Sequence, residues 1–444
     1  MRSNKQGLLP SLGYVSAFCL MAVLVTLGTG QWAVLSPALI AMFASLALYS
    51  MGHPTFKYYA FTIWVFAFVS ASMAYPAAFM TWGGFDLKFL IVPLIQIIMF
   101  GMGTTLSVAD FSRIFRTPWA VFIGFIAQFL IMPLLGLFLA TVFRFPPEIA
   151  AGVVLIGCCP SGVASNVMTY LARGNVALSV TITSCTTLAS PILTPILMAK
   201  LGGQFIKIDS MKMMIEIINM IIVPIVAGLI ANQILYGRRP AFRSPVVLAV
   251  LALAGILLGG GLAVFAPAAT INYAGVPLKG GLVLGLLLIG IVALAKLVID
   301  LWLRGPANWM DKALPIVSMA AICCIIAVIT AQSRKDLLTV GGLLILSTMI
   351  HNGFGYLLGY WMARAARLNE SSCRAVAFEV GMQNGGMASA LAMTVLKSVP
   401  AALAPAIFGP WQNVSGSILA TWWHRKPSPI PTPQPASEAV PQES

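Results

Sequence analysis

Phe378 to Ala390 reads FEVGMQNGGMASA, and this stretch puts one carboxylate and three glycines inside a long apolar region. Glu379 has a basic residue about a turn before it, Arg374, and then no charge until Lys397. A carboxylate near the centre of a bilayer is costly unless a cation or hydrogen-bond donors meet it, so such residues mark ion or proton pathways. Gly381, Gly385 and Gly386 follow closely. Glycine lets a membrane helix unwind and expose its carbonyls, which is tolerated only where the freed backbone lines a cavity or is buried in protein. Glu379, Gln383, Asn384 and free carbonyls together form an oxygen-rich pocket with one negative charge, the chemistry a hard monovalent cation requires.

The rest of the chain fits a membrane setting. Of 444 residues, 59% are hydrophobic and 9% charged, whereas soluble domains carry about 25% charged residues. Apolar runs long enough to cross a hydrocarbon core about 30 Å thick recur along the chain, without the alternation of a membrane barrel. The net charge of +14 is scattered singly at run ends, which makes it a topology signal and not a nucleic-acid surface. Seven cysteines lie in or beside apolar runs with no C-x-x-C spacing, as expected of small buried residues without a disulfide framework or metal site.

The runs number fourteen. Leu12 to Leu27 follows Arg2 and Lys5 but has no small-residue cleavage site, so it is expected to be a retained anchor. Gln31 to Ser50 and Tyr58 to Ala78 come next, and later runs include Pro118 to Phe143, Glu148 to Ala172, Asn175 to Lys200, Val246 to Pro267, Leu278 to Leu303, Ser372 to Leu396 and Ala401 to Trp423. The Pro-rich tail from Lys426 has no apolar period and is expected to be disordered. With the N-terminus inside, the inner loops hold 16 Lys and Arg against 9 outside, which favours both termini in the cytoplasm.

A second interruption lies in the other half of the chain. Gly157-Cys-Cys-Pro-Ser-Gly-Val-Ala-Ser-Asn166 places a proline and two glycines mid-span, so this helix too is expected to be discontinuous. It runs outside to inside, opposite to the Glu379 span, and two interrupted helices of opposite direction point to an inverted-repeat secondary transporter with a midplane site. Ser179 and Thr183, four apart, face one side of a helix and can complete a cation site with Ser165, Asn166 and Glu379, or else bond back to helix carbonyls. His351 and the Trp411-Gln412-Asn413 group are expected to serve helix packing, and Lys296 and Asp300 to form a snorkelling pair near a helix end.

GCCPSGVASNVMTYLARGNVALSV (157–180), FEVGMQNGGMASALA (378–392), IMFGMGTTL (98–106), AQFLIMPLLG (127–136) and HNGFGYLLG (351–359) resemble the bile acid:sodium symporter family in its bacterial branch. The resemblance implies an all-α polytopic membrane protein with a ten-helix core of two inverted five-helix repeats, a panel and a core domain, and two crossing discontinuous helices at 148–172 and 372–396. About four further transmembrane helices are then additions. The implied division is an N-terminal extension with two extra helices (1–57), the first part of the core (58–242), an inserted helix pair (243–304), the second part of the core (305–425) and the tail (426–444). Carried over by motif, a first sodium site falls on Ser165, Asn166, Ser179, Thr183 and Glu379. A second falls on Gln128, Glu379 and Gln383 with the carbonyls of Val380 and Met382. Val163 departs from the family, since close relatives often carry threonine there.

The functional expectation is a sodium-coupled symporter of the inner (plasma) membrane, importing a small organic monoanion of the 2-oxo or 2-hydroxy acid type with two Na+ ions. Ser161, Gly162, Val163, Asn352 and Asn384 are the expected substrate contacts, because half-helices resuming near Gly162 and Asn384 offer unpaired amides to a carboxylate. No arginine or lysine stands near the crossing, so one carboxylate fits and several would not. The alternatives are a bile-acid-type symporter, proton coupling through Glu379, and sodium-independent efflux. An intramembrane enzyme is disfavoured because no recognisable catalytic pairing is present.

Overall fold

The computed structural model describes residues 5–29, 32–53, 56, 59–105, 117–237, 240–265, 272–273, 276–277, 279–299, 303 and 309–426. The tail expected to be disordered lies, apart from Lys426, outside the described residues, as does Asp300. The protein is all-helical and polytopic: eight helical stretches among the described residues are long and apolar enough to cross a membrane. Four more apolar helices, Ser11–Thr26, Ala60–Ala74, Pro147–Cys158 and Ile316–Gln332, are shorter.

Helix α1 (Lys5–Thr29) and α2 (Trp32–Gly52) form a hairpin that packs on α3 (Ala60–Ala74). A two-residue ribbon, β1 (Thr81–Trp82) with β2 (Phe85–Asp86), turns through Gly83 and Gly84, both at positive φ, a conformation that favours glycine at both central positions. Then come α4 (Ile91–Thr105) and α5 (Pro118–Val142). The first broken span is α6 (Pro147–Cys158) and α7 (Ala164–Leu171), followed by α8 (Val176–Leu197). Helix α9 (Ser210–Ile217) passes through a π-helical turn, Ile218–Ile222, into α10 (Val223–Tyr236). The pair expected to be an insertion comprises α11 (Pro245–Phe265) and α12 (Lys279–Val298). After α13 (Trp309–Gln332) and α14 (Arg334–Ala365) comes the second broken span, α15 (Glu370–Gly381) and α16 (Gly385–Thr394), and α17 (Val399–His424) ends the described chain.

The α11–α12 pair is fastened to α9–α10 at both ends. The Asn219 side chain, in the π turn, accepts from Gly281 N at 3.0 Å and so caps the first turn of α12, where helix amides have no intrahelical acceptor. At the other end Lys296 Nζ, buried on α12, donates to Ile234 O at 2.6 Å and Leu235 O at 3.2 Å in the last turn of α10. Lys296 is therefore turned inward onto helix-end carbonyls, not outward as a snorkelling side chain, because the α10 terminus needs donors. The α11 and α12 backbones close on each other at Gly255 and Gly290, as small residues allow in membrane helix pairs.

The two breaks meet at the centre. Gly162 N donates to Met382 O at 2.9 Å and Asn384 N to Pro160 O at 2.9 Å, an antiparallel bridge between Ser161 and Gln383. A Cβ on residue 162 would sit 2.6 Å from Gln383 O, so this approach requires glycine. The other freed carbonyls are met by side chains: Cys158 O by Thr194, Cys159 O by Gln128, Val380 O by Gln383 and Gly381 O by Asn352. Gln412 holds both backbone groups of Gln383, accepting from its N at 2.7 Å and donating to its O at 3.0 Å. Unwound backbone at membrane depth is thus satisfied internally, the condition on which it survives there.

Candidate cation and substrate site

Glu379 occupies the last turn of α15, two residues before the glycine that ends it, and is fully buried. Ser165 Oγ from α7 and Ser179 Oγ from α8 each donate to its Oε1 at 2.5 Å, and Thr183 Oγ1 donates to Oε2 at 2.8 Å. Ser179 Oγ also lies 2.8 Å from Asn166 Oδ1, and Thr183 Oγ1 3.4 Å from it. The five residues expected from the first sodium set are therefore in mutual contact. They offer both carboxylate oxygens, three hydroxyl oxygens and one amide oxygen. A hydroxyl has two lone pairs and a rotatable proton, so each can turn from donating to the carboxylate to facing a cation. Asn175 Oδ1 caps α8 through Leu178 N, fixing the helix that carries Ser179 and Thr183.

Among the described residues no basic side chain hydrogen-bonds this carboxylate. Arg374, the nearest base in sequence, points the other way: its Nε donates to Glu370 Oε1 at 3.0 Å and its Nη1 to Ala172 O at 2.9 Å and Trp423 O at 3.3 Å. It ties the ends of α7 and α17 to the start of α15 and leaves Glu379 to the hydroxyls.

The second expected set is arranged differently. Gln128 Nε2 donates to Gln383 Oε1 at 2.7 Å and Cys159 O at 2.8 Å, Gln383 Nε2 donates to Val380 O at 2.6 Å, and Met382 O accepts from Gly162 N. These groups lie together at the crossing but satisfy one another, and no described hydrogen bond joins Glu379 to Gln128 or Gln383.

The expected substrate contacts divide between two spaces. Val163 lines a cavity of about 210 Å³ beside the cation set, with Asn166 and Thr183 in its wall and Met102, Thr105 and Ile225 opposite. Exposure grows from Val163 (37%), which caps α7, through Val167 (51%) to Tyr170 (71%), a stripe at helical spacing. Ser161 Oγ is buried near Glu379 and makes no hydrogen bond of normal geometry. The amides of Gly162 and Asn384 are spent on the bridge, and Asn384 Oδ1 caps α16 through Met387 N. Asn352 is elsewhere: it lines a larger groove of about 690 Å³ between α14 and α17 and accepts from Ser415 Oγ at 2.5 Å.

His351 is a packing residue, as expected, its Nε2 3.0 Å from Met132 O and its ring edge-on to Phe408. Three contributors were missed. Thr169 Oγ1 donates to Ser179 Oγ at 3.2 Å; the signal was its spacing of four from Ser165. Gln412, expected to serve packing, also holds the Gln383 backbone, and Thr187 stands in the cavity wall with no sequence signal to mark it.

Comparison with known proteins accords with this geometry. Residues 92–271 match the model of the Sodium Bile acid symporter family. An uncharacterized sodium-dependent transporter of Bacillus subtilis, YocS, is 36% identical over 366 residues, covering 82% of this chain and 91% of the relative. The chain belongs to the sodium bile acid symporter family. Other members are more distant: a probable sodium/metabolite cotransporter of Arabidopsis chloroplasts, BASS1, is 28% identical over 331 residues, 74% of this chain and 66% of the relative. The human ileal sodium/bile acid cotransporter is 27% identical over 304 residues, 67% of each chain. Glu379 lies outside the segment that the family model matches.

Proposed function

We propose that the protein is a sodium-coupled symporter that imports a small organic monoanion by alternating access across the plasma membrane, with both termini cytoplasmic. The observation that carries this reading is the buried Glu379 carboxylate, surrounded by Ser165, Ser179, Thr183 and Asn166 oxygens and by no base. A proton site needs only the acid, whereas six gathered oxygens suit a hard cation. The name of the Bacillus relative supports the same ion. In this reading Na+ is cargo. The first ion binds at the Glu379 set and a second at Gln128, Gln383, Glu379 and the Val380 and Met382 carbonyls once their present amide contacts rearrange. The broken spans belong to a ten-helix core of two inverted repeats, and α1–α2 and α11–α12 are additions to it.

The anion sits in the cavity beside Val163. Among the described residues that wall has no lysine or arginine, so the bound cation next to Asn166 and Thr183 supplies the balancing charge, and one carboxylate suits it better than several. A volume of about 210 Å³ lies below the roughly 300–1,000 Å³ of sites for drug-sized ligands, which favours a short 2-oxo or 2-hydroxy acid over a steroid. The test is uptake of labelled short organic acids and taurocholate into proteoliposomes under sodium, proton and null gradients. Uptake driven by sodium for a short acid supports the reading; uptake driven only by protons, or of taurocholate alone, refutes it.

A further inference from the structure

The hydroxyls around the 210 Å³ cavity are not equivalent. Thr105 Oγ1 donates to Met102 O at 2.8 Å and Ser184 Oγ to Val180 O at 2.8 Å, both bonding back into their own helices. Thr183 is committed to Glu379 and to Ser179 O. Thr187 differs: it is 2% exposed, lines the same cavity, and its Oγ1 has no hydrogen-bond partner. A buried hydroxyl left without a partner is costly when most helical threonines satisfy themselves on a carbonyl one turn back. Of the other residues in the wall, Val180, Leu188 and Ile225 are apolar and the Thr183 and Ser184 hydroxyls are already engaged, so an oxygen on a ligand in the cavity can complete it.

Thr187 follows Thr183 by four residues on α8, a rise of about 6 Å. We infer that Thr187 is a specificity-determining residue that donates a hydrogen bond to an oxygen on the transported anion about one helical turn from its carboxylate. The substrate class is then a short monoacid oxygenated near its fourth carbon. This inference rests on the reading above, in which the carboxylate lies against the cation at Asn166 and Thr183. It also accounts for Val163: polar recognition lies on α8 at the far end of the cavity, not at the start of α7.

The test uses three acids of similar shape on purified full-length protein: 4-oxopentanoate, 4-methylpentanoate, which lacks the oxygen, and 4-methyl-2-oxopentanoate, which carries it beside the carboxylate. Sodium-dependent affinities are measured for wild type, Thr187→Val and Thr187→Ser. The expected result is that the isosteric Thr187→Val weakens 4-oxopentanoate about tenfold, the size of one neutral hydrogen bond, leaves the other two unchanged, and that Thr187→Ser restores it. Wild type binding 4-oxopentanoate and 4-methylpentanoate equally overturns the inference while the symport reading stands. Thr187→Val weakening all three alike overturns it too, by giving Thr187 a structural role. Sodium-dependent binding of none of them to wild type overturns the short-acid symport reading and this inference together.

Discussion

Replacing Glu379 by glutamine keeps the length of the side chain and removes its charge. Three hydroxyls now converge on this carboxylate with no base among its partners, so a bound cation would take its only formal counter-charge from here. Two unit charges 4 Å apart at an effective dielectric of 20 attract by about 4 kcal/mol, so the variant should bind sodium roughly a thousandfold more weakly. Binding stabilises the folded state by RT ln(1 + [L]/Kd), about 2.7 kcal/mol at a sodium concentration of 100 Kd. After a thousandfold loss the same concentration contributes less than about 0.1 kcal/mol. The assay is thermal unfolding of purified protein in sodium against choline at constant ionic strength, beside uptake. Sodium should raise the melting temperature of wild type and not of Glu379→Gln. In choline the variant should be at least as stable as wild type, since a buried charge without a cation has been removed. Ser165→Ala, losing one neutral ligand, should fall between them. A wild-type sodium shift in Glu379→Gln would refute the assignment.

Three further outcomes are expected. Gly381→Ala places a Cβ 2.1 Å from the Tyr356 ring, an overpacking cost of about 1–3 kcal/mol that Tyr356→Ala should partly relieve; purely additive melting-temperature losses would dismiss the contact. Arg374→Met leaves Glu370 without its base and the Ala172 and Trp423 carbonyls without that donor. It should destabilise by about 1–3 kcal/mol, chiefly through the buried carbonyls left unsatisfied, and Glu370→Gln in the same chain should recover little because Glu370 is partly exposed, which unfolding curves would reveal or deny. If two sodium ions enter with one monoanion, an inside-negative potential gains about 2.3 kcal/mol per 100 mV and should accelerate uptake at fixed sodium gradient; indifference to the potential would argue for one-to-one symport.

What could be read from the sequence was what stood out chemically against an apolar background. Glu379 and the Cys-Cys-Pro-Ser-Gly break are anomalies in a hydrophobic run, and Ser179 and Thr183 share a helix face by spacing alone. What stayed hidden depends on the third dimension. That Pro160 and Met382 carbonyls are met by amides of the opposite break follows from how the two spans cross, which no local pattern records. Gln412 and Thr194 read as ordinary polar residues of packed helices until the carbonyls they satisfy are located. Thr187 was hidden because a hydroxyl bonded to its own helix and one held open for a ligand look alike in sequence. For Arg374 the signal is in the sequence: Glu370 lies four residues before it, the spacing of a helical ion pair.

The α1–α2 and α11–α12 pairs, proposed above as additions to the core, bear on which part of the protein moves. The cavity lies between two groups of elements: α7 and α8 supply Val163, Asn166, Thr183 and Thr187, whereas α4 and α10 supply Met102, Thr105 and Ile225. Both broken spans pack within the first group, with α5, α14 and α17. The α1–α2 hairpin packs on α3, and α11–α12 packs on α10 and is held there by Asn219 and Lys296. In the proposed transport cycle one group must shift against the other to expose the cavity to each side. The group that carries the added hairpins displaces more lipid and is braced by polar contacts at both ends of α12, so it is the one expected to stay still. A Cβ at position 285 would lie 3.3 Å from the Ala227 Cβ, near the separation of a disulfide. Cysteines at these two positions, in a chain otherwise free of cysteine, should join α10 to α12 covalently without stopping sodium-driven uptake. Loss of uptake on oxidation, restored by reductant, would mean that this pair slides during transport and that the inserted hairpin belongs to the moving part.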